Sequence, residues 1–257
     1  MSERLRRILQ LIEQNKFVSV NDLSKSLQVS EVTIRKDLRT LEEQGLVSRT
    51  HGGASVRVSN FQPFMARQLL AHDEKWLLAN VTAELVEEGD SVIIDAGTTP
   101  LQVAKLLLDR HLSVVTNSLP VSMELAHSSC TVTVTGGVVF PENVCLVGPE
   151  AEGYFERIRV NKLILGASGL VAERGPTTYS ALEAAVKQRM VKAAQMVILV
   201  MDHSKLTNVG LSVFCEFSDI DTIVTSSLCP EHLLQEIRAH GVEVISVPIP
   251  KEIEVGT

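Results

Sequence analysis

From Asp73 onward the chain alternates short apolar runs with helical segments, and that rhythm restricts it to one class of fold. The runs are SVIID, SVVT, VTVT, KLILGAS, MVILVMD, DTIVTS and VEVISV. Each is short enough to be a strand, and most are separated by stretches with helical spacing. Strands alternating with helices over this length imply an α/β domain with a largely parallel sheet. Aromatic residues make up only 4% of the chain, so its core must come from Val, Ile, Leu and Ala. That supply suits strands buried on both faces. The first helix of this part is expected from Asp73 to about Glu88, with Gly89 as its stop.

In such a sheet, ligands bind beyond the carboxyl ends of the strands, where loops meet helix N-termini. The polar and glycine-rich segments fall there. Asp95-Ala96-Gly97-Thr98-Thr99 follows the first strand and precedes a helix carrying Leu101, Ala104 and Leu108 on one face. Free N–H groups at a helix start, two hydroxyls and a glycine that admits close approach make a cradle suited to phosphate. Thr116-Asn117-Ser118, Thr135-Gly136-Gly137 and Gly166-Ala167-Ser168-Gly169 end the next three strands. Glu183 and Lys187 lie four apart on a helix, a spacing that on most helices is a surface ion pair. Asp202-His203-Ser204-Lys205 closes a later strand.

The first sixty residues have a different character. Leu5, Ile8, Leu9 and Ile12 repeat at helical spacing, in a helix ending near Asn15. FVSV gives a short extended piece, and Ser19 is a good N-cap for a second helix, with Asp22 in its first turn. Ser30 caps a third, EVTIRKDLRTLEEQ, which Gly45 ends. Two short helices joined by a few residues form a helix-turn-helix. On the third helix Ile34, Leu38 and Leu41 share the inward face. Val32, Thr33, Lys36, Arg39 and Thr40 point outward, with Arg35 on the flank. That face fits a DNA major groove, since cations reach phosphates or guanine edges and methyls touch thymine. A hairpin about Gly52-Gly53 would add a wing, placing Arg49 and His51 near the DNA backbone or minor groove.

Charge divides along the same line. The net charge is −7, yet residues 1–58 carry ten Lys/Arg against seven Asp/Glu, a net of +3. Residues 59–257 carry fourteen against twenty-four, a net of −10. Such asymmetry accompanies a nucleic-acid-binding segment joined to something else.

The run SVNDLSKSLQVSEVTIRKDLRTLEEQGLVSRTHGGA closely resembles the winged-helix region of the DeoR family of bacterial transcriptional regulators, most specifically at Ser30, Thr33, Arg35, Lys36, Asp37 and Leu38. The later order DxGTT, TNS, TGG, GxxG, Glu-x3-Lys and DxSK resembles the DeoR-type sensor domain, a fold similar to ribose-5-phosphate isomerase. The resemblance implies that Gly97, Thr98 and Thr99 hold a phosphate, and that Asn117, Gly136, Gly137 and Lys187 line the remaining pocket. It also implies homodimers or tetramers.

The chain is therefore expected to comprise a winged helix-turn-helix domain over 1–58, a linker over 59–74 and a sugar-phosphate sensor and oligomerisation domain over 75–257. The expected partners are a double-stranded DNA operator, a phosphorylated sugar effector and further copies of the chain. The effector set is Asp95, Gly97, Thr98, Thr99, Thr116, Asn117, Ser118, Gly136, Gly137, Ser168, Glu183, Lys187 and Lys205. A sugar-phosphate isomerase-like enzyme carrying a DNA-binding module is the alternative, although Leu165–Gly169 offers no carboxylate as a base. No cofactor or metal is expected, because histidines and cysteines are scattered without coordinating spacing. No apolar run reaches the length of a membrane span, and MSERLRRILQ lacks the features of a signal peptide. The four cysteines form no framework, so a reduced, cytoplasmic protein is expected.

Overall fold

A computed structural model describes residues 3–50, 52–56 and 63–250. The described residues divide into two compact units, one running up to His72 and the other spanning Asp73–Ile249.

The first unit contains α1 (Glu3–Asn15), β1 (Phe17–Ser19), α2 (Val20–Leu27), α3 (Glu31–Glu43), β2 (Val47–Thr50), β3 (Gly53–Val56) and α4 (Phe64–Leu69). Both expected caps form: the Ser19 hydroxyl accepts from the Asp22 N–H, and the Ser30 hydroxyl from the Thr33 N–H. Gly45 adopts φ 74°, and behind it the Leu46 N–H donates to Leu41 O at 2.9 Å. The Gly45 N–H donates to Glu42 O, completing the glycine-dependent C-terminal motif that stops α3. Ile8, Leu9, Ile12, Leu23, Ile34, Leu38, Leu41 and Leu46 close over one core.

Two features depart from the sequence reading. The extended FVS piece joins the hairpin, giving a three-stranded antiparallel sheet in the order β1-β3-β2. A Cβ on Gly53 would lie 2.2 Å from Val18 O, so the second glycine of the turn is what lets β1 approach β3. The segment assigned to a linker, 59–74, contains α4 and the start of a further helix, and Ala66 of α4 is buried in the first core. Its short apolar face carries too few repeats for periodicity to register it.

The second unit begins with α5 (His72–Glu84), β4 (Ser91–Ile94), α6 (Thr98–Lys105), β5 (Ser113–Thr116), α7 (Leu119–Leu125), β6 (Thr131–Val134), β7 (Val138–Phe140), β8 (Cys145–Val147) and α8 (Pro149–Glu156). It continues through β9 (Val160–Leu165), β10 (Gly169–Val171), β11 (Gly175–Thr178), α9 (Ala181–Ala193), β12 (Ala194–Val200), α10 (His203–Leu206), β13 (Ser212–Val213), β14 (Thr222–Ser226), α11 (Glu231–Ala239) and β15 (Glu243–Val247). Helix α5 ends four residues before Glu88. Its last turn tightens, with the Val86 N–H donating to Ala83 O.

The seven runs read from the sequence form one parallel sheet in the order β15-β14-β12-β9-β4-β5-β6. Growth runs from β4 through β5 to β6 on one side, and from β9 outward to β15 on the other. The order therefore reverses between β4 and β9, which makes their carboxyl ends the expected ligand crevice. The core beneath is aliphatic, with Ile93, Leu163, Leu165, Val186, Met190 and Leu199 among its buried members. All four cysteines are free thiols.

A buried polar cluster ties α5 to the far half of the sheet. Glu74 accepts from the Ser226 hydroxyl at 2.6 Å and from the His203 N–H at 2.8 Å, while its other oxygen meets His203 Nδ1 at 2.8 Å. Lys75 Nζ lies 4.0 Å from Asp202, and both are buried. Burial alone would raise the Asp202 pKa, but the charges of Lys75 and Lys205 and the Ser204 hydroxyl outweigh it and hold the carboxyl below its ordinary value. A carboxyl depressed in the folded state contributes stability that is present above its unfolded pKa and lost as pH falls through the folded one. Urea unfolding free energies measured from about pH 5 to about pH 2.5 should therefore fall, and Asp202→Asn should flatten that slope. An unchanged slope in the variant would remove Asp202 from the acid response.

Candidate functional site

The carboxyl end of β4 leads through Asp95-Ala96-Gly97 into α6. The N–H groups of Thr98 and Thr99 have no carbonyl within the helix to bond, and Pro100 has no N–H. The cradle is thus two amides and two hydroxyls at the positive end of a helix dipole. Gly166, at the end of β9, closes against this turn, and a Cβ there would lie 3.3 Å from Pro100 Cγ.

Beside the turn sits an ion pair within the fold. Lys187 Nζ of α9 donates to Asp95 Oδ2, with both side chains buried, and also to Gly166 O at 3.1 Å. Asp95 Oδ2 accepts a further bond from the Gly166 N–H at 2.9 Å. The Phe214 ring lies 5.4 Å from the lysine nitrogen, adding a cation–π contact. One buried pair thus joins β4, the β9 loop and α9.

The spacing of Glu183 and Lys187 suggested a pair on one helix surface, but the structure separates them. Lys187 reaches across to Asp95, while Glu183 accepts from Asn143 Nδ2 at 2.7 Å and from the Thr178 hydroxyl at 3.1 Å. Asn143 Nδ2 also lies 3.4 Å from Ala96 O, which brings Glu183 to the same turn as the cradle. Asn143 and Thr178 are site residues that sequence reasoning missed. Neither belongs to a periodic segment or a phosphate-type loop, and only tertiary contact brings them in.

Asn117, after β5, donates from Nδ2 to Leu146 O at 3.0 Å, but its Oδ1 is buried and meets no donor among the described residues. A buried acceptor without a partner costs roughly 1–3 kcal/mol, a cost that an incoming donor would relieve. Its neighbours are otherwise engaged. The Thr116 hydroxyl donates to Ile94 O and accepts from the Ser118 N–H, and the Ser118 hydroxyl caps α7. These two side chains shape the turn rather than present free groups.

Gly136 and Gly137 both adopt positive φ, and a Cβ on Gly137 would lie 2.6 Å from Val147 O. Ser168 is half-buried beside β11, where its N–H donates to Thr177 O. Lys205 lies on α10 by Asp202, within the cluster that holds α5.

In the first unit, Val32, Arg35, Lys36 and Arg39 are exposed on α3, with Thr33 and Thr40 half-buried. Arg35 bonds Glu31 at 3.0 Å one turn away, and Ser30 and Thr33 share a hydroxyl contact of 2.9 Å. Arg49 of β2 reaches back to Glu42 at 3.5 Å. Behind this face the Arg4 guanidinium forks onto Asp37, with contacts of 2.6 and 3.1 Å, which fixes α1 to α3. His51 lies outside the described residues.

Comparison with known proteins identifies both units. The DeoR-like helix-turn-helix domain matches residues 4–60, and the DeoR C terminal sensor domain matches residues 70–227. The chain belongs to the DeoR family of transcriptional regulators. It is 38% identical to the transcriptional repressor AccR of Agrobacterium fabrum, covering 88% of this chain and 89% of that one. It is 37% identical to the HTH-type transcriptional regulator GlpR of Haloferax volcanii, covering 95% and 97% respectively. Among solved structures, ribose 5-phosphate isomerase A from Methanocaldococcus jannaschii matches with a TM-score of 0.40 and 13% identity, over 53% of this chain and 55% of that one. This chain's relatives across nearly full length are regulators. The enzyme alternative raised from the sequence therefore gives way to a DNA-binding regulator. Among the described residues no group of His, Cys, Asp or Glu could hold a metal ion, and no helix is long and apolar enough to cross a membrane.

Proposed function

We propose that this DeoR-family regulator represses carbohydrate-metabolism genes and is controlled by a phosphorylated sugar bound between β4 and β9. The observation that carries the reading is the open start of α6 beside a buried polar cluster, at the point where strand order reverses. Backbone N–H groups and the Thr98 and Thr99 hydroxyls suit the phosphoryl group. Asn117 Oδ1, Lys187 and the glycine loops suit the sugar. The exposed face of α3 enters the major groove of the operator, and Arg49 follows the backbone. A single winged domain makes few base contacts, so the working form is a cytoplasmic homodimer or tetramer reading repeated half-sites.

A thermal-shift screen against phosphorylated sugars and their unphosphorylated parents tests this reading. Ligand at about a thousand times its dissociation constant adds roughly 4 kcal/mol. In a domain of this size that raises the melting point by about 10 °C. Thr98→Val keeps the shape and removes one hydroxyl, so it should blunt the response while binding to operator DNA survives. Shifts for the unphosphorylated parents alone, or no shift across the panel, would defeat the phosphate assignment.

A further inference from the structure

We infer that Glu31 sets one base preference of α3: it holds the Arg35 guanidinium ready for a guanine edge and withholds that cation from all other DNA. The inference rests on α3 lying in the major groove, and it narrows one position of the operator half-site to a G·C pair.

The exposed cations of α3 are not equivalent. Lys36 and Arg39 have no acidic partner among the described residues. Arg35 Nη2 instead donates to Glu31 Oε2 at 3.0 Å, in a pair whose side chains are 59% and 48% exposed. A pair that open adds almost nothing to the fold. On a face that meets DNA it carries a cost, because it brings a carboxylate among phosphates.

What the pair supplies is direction. A free cation swings between phosphate oxygens and positions the duplex without reading it. A guanine edge, with its O6 and N7 acceptors, takes two N–H groups of one guanidinium in a fixed plane. Glu31 occupies one donor of Arg35 and limits the swing of the rest, so less freedom is lost when the fork meets the base. The turn that carries Glu31 is itself fixed, since the Ser30 hydroxyl accepts from the Thr33 N–H and lies 2.9 Å from the Thr33 hydroxyl. First-turn residues of a recognition helix are the ones that meet base edges. Where no guanine stands opposite, the pair is electrically neutral and adds no attraction to the backbone. Discrimination thus comes partly from weakened binding to wrong sites.

Fluorescence anisotropy of the full-length protein tests this on a duplex that the wild-type protein selects from a random pool. Variants of that duplex with each base pair exchanged in turn, and a scrambled duplex, complete the set. Wild-type protein should prefer guanine about tenfold at one position of each half-site, and Arg35→Ala should abolish that preference. Glu31→Gln, close in shape but uncharged, should cut it to about threefold and strengthen binding to the scrambled duplex about threefold. With Arg35 already replaced, Glu31→Gln should alter the base profile no further. Melting temperatures should move by no more than about 2 °C. A Glu31→Gln protein that keeps the tenfold preference, or binds selected and scrambled duplexes equally more weakly, would overturn the inference and leave Glu31 serving the helix end alone. So would a guanine preference that survives Arg35→Ala. Base profile and affinity unchanged in both Arg35→Ala and Lys36→Ala would overturn the placement of α3 as well.

Discussion

Lys187→Ala is expected to cost about 3–5 kcal/mol of stability, because it leaves the Asp95 carboxylate buried with a single backbone N–H in place of a cation. The second unit should melt roughly 10 °C lower. The double variant Asp95→Asn, Lys187→Met removes both charges and fills similar volume, and most of that loss should return. Effector-dependent shifts should vanish in both proteins, since the pair organises the turn that holds the cradle. Differential scanning calorimetry of the three proteins reads the outcome. A single variant that melts like wild type would show that water reaches the pair and that its burial carries no energetic weight.

The second large effect concerns DNA. Lys36→Ala combined with Arg39→Ala removes two exposed cations from α3 while leaving Ile34, Leu38 and Leu41 in the core. Contacts of this kind are each worth about 1–3 kcal/mol, so affinity for operator DNA should fall at least about thirtyfold per winged domain. Fluorescence anisotropy on a duplex selected from a random pool by the wild-type protein provides the measurement. The slope of log affinity against log salt should become shallower, as fewer counterions are released. The melting temperature and the effector response should remain as they were. A loss of affinity accompanied by unfolding would place these side chains in the structure rather than at the groove.

The parallel sheet was readable because its seven strands are mostly apolar runs closed by glycine, proline or a polar residue. The caps of α2 and α3 were readable because they depend on residues within three positions of one another. The other strands of the second unit carried no such mark. Gly169–Val171, Gly175–Thr178 and Ser212–Val213 assemble into a small antiparallel sheet through close backbone approach. A Cβ on Gly169 would lie 2.3 Å from Asn208 O, a constraint invisible to periodicity. The site was legible as a set of loops, but its wiring was not. Local spacing favoured Glu183 with Lys187, whereas burial made a pairing with Asp95, 92 residues away, the stronger choice. Asn143 and Thr178 enter only because β8 and β11 bring them to the same place.

The reversal of strand order between β4 and β9 also governs when the protein becomes whole. Ser91 and Asn161, hydrogen-bonded across the β4–β9 seam, are 70 residues apart in sequence. During synthesis, β4 can pair with β5, and β5 with β6, soon after they emerge, yet the other edge of β4 stays bare until β9 leaves the ribosome. Contacts of such long range slow folding, and unpaired apolar edges invite association between nascent chains. The crevice cannot exist before that seam closes. The effector proposed for that crevice would bind only finished molecules and so draw newly made chains toward the completed fold.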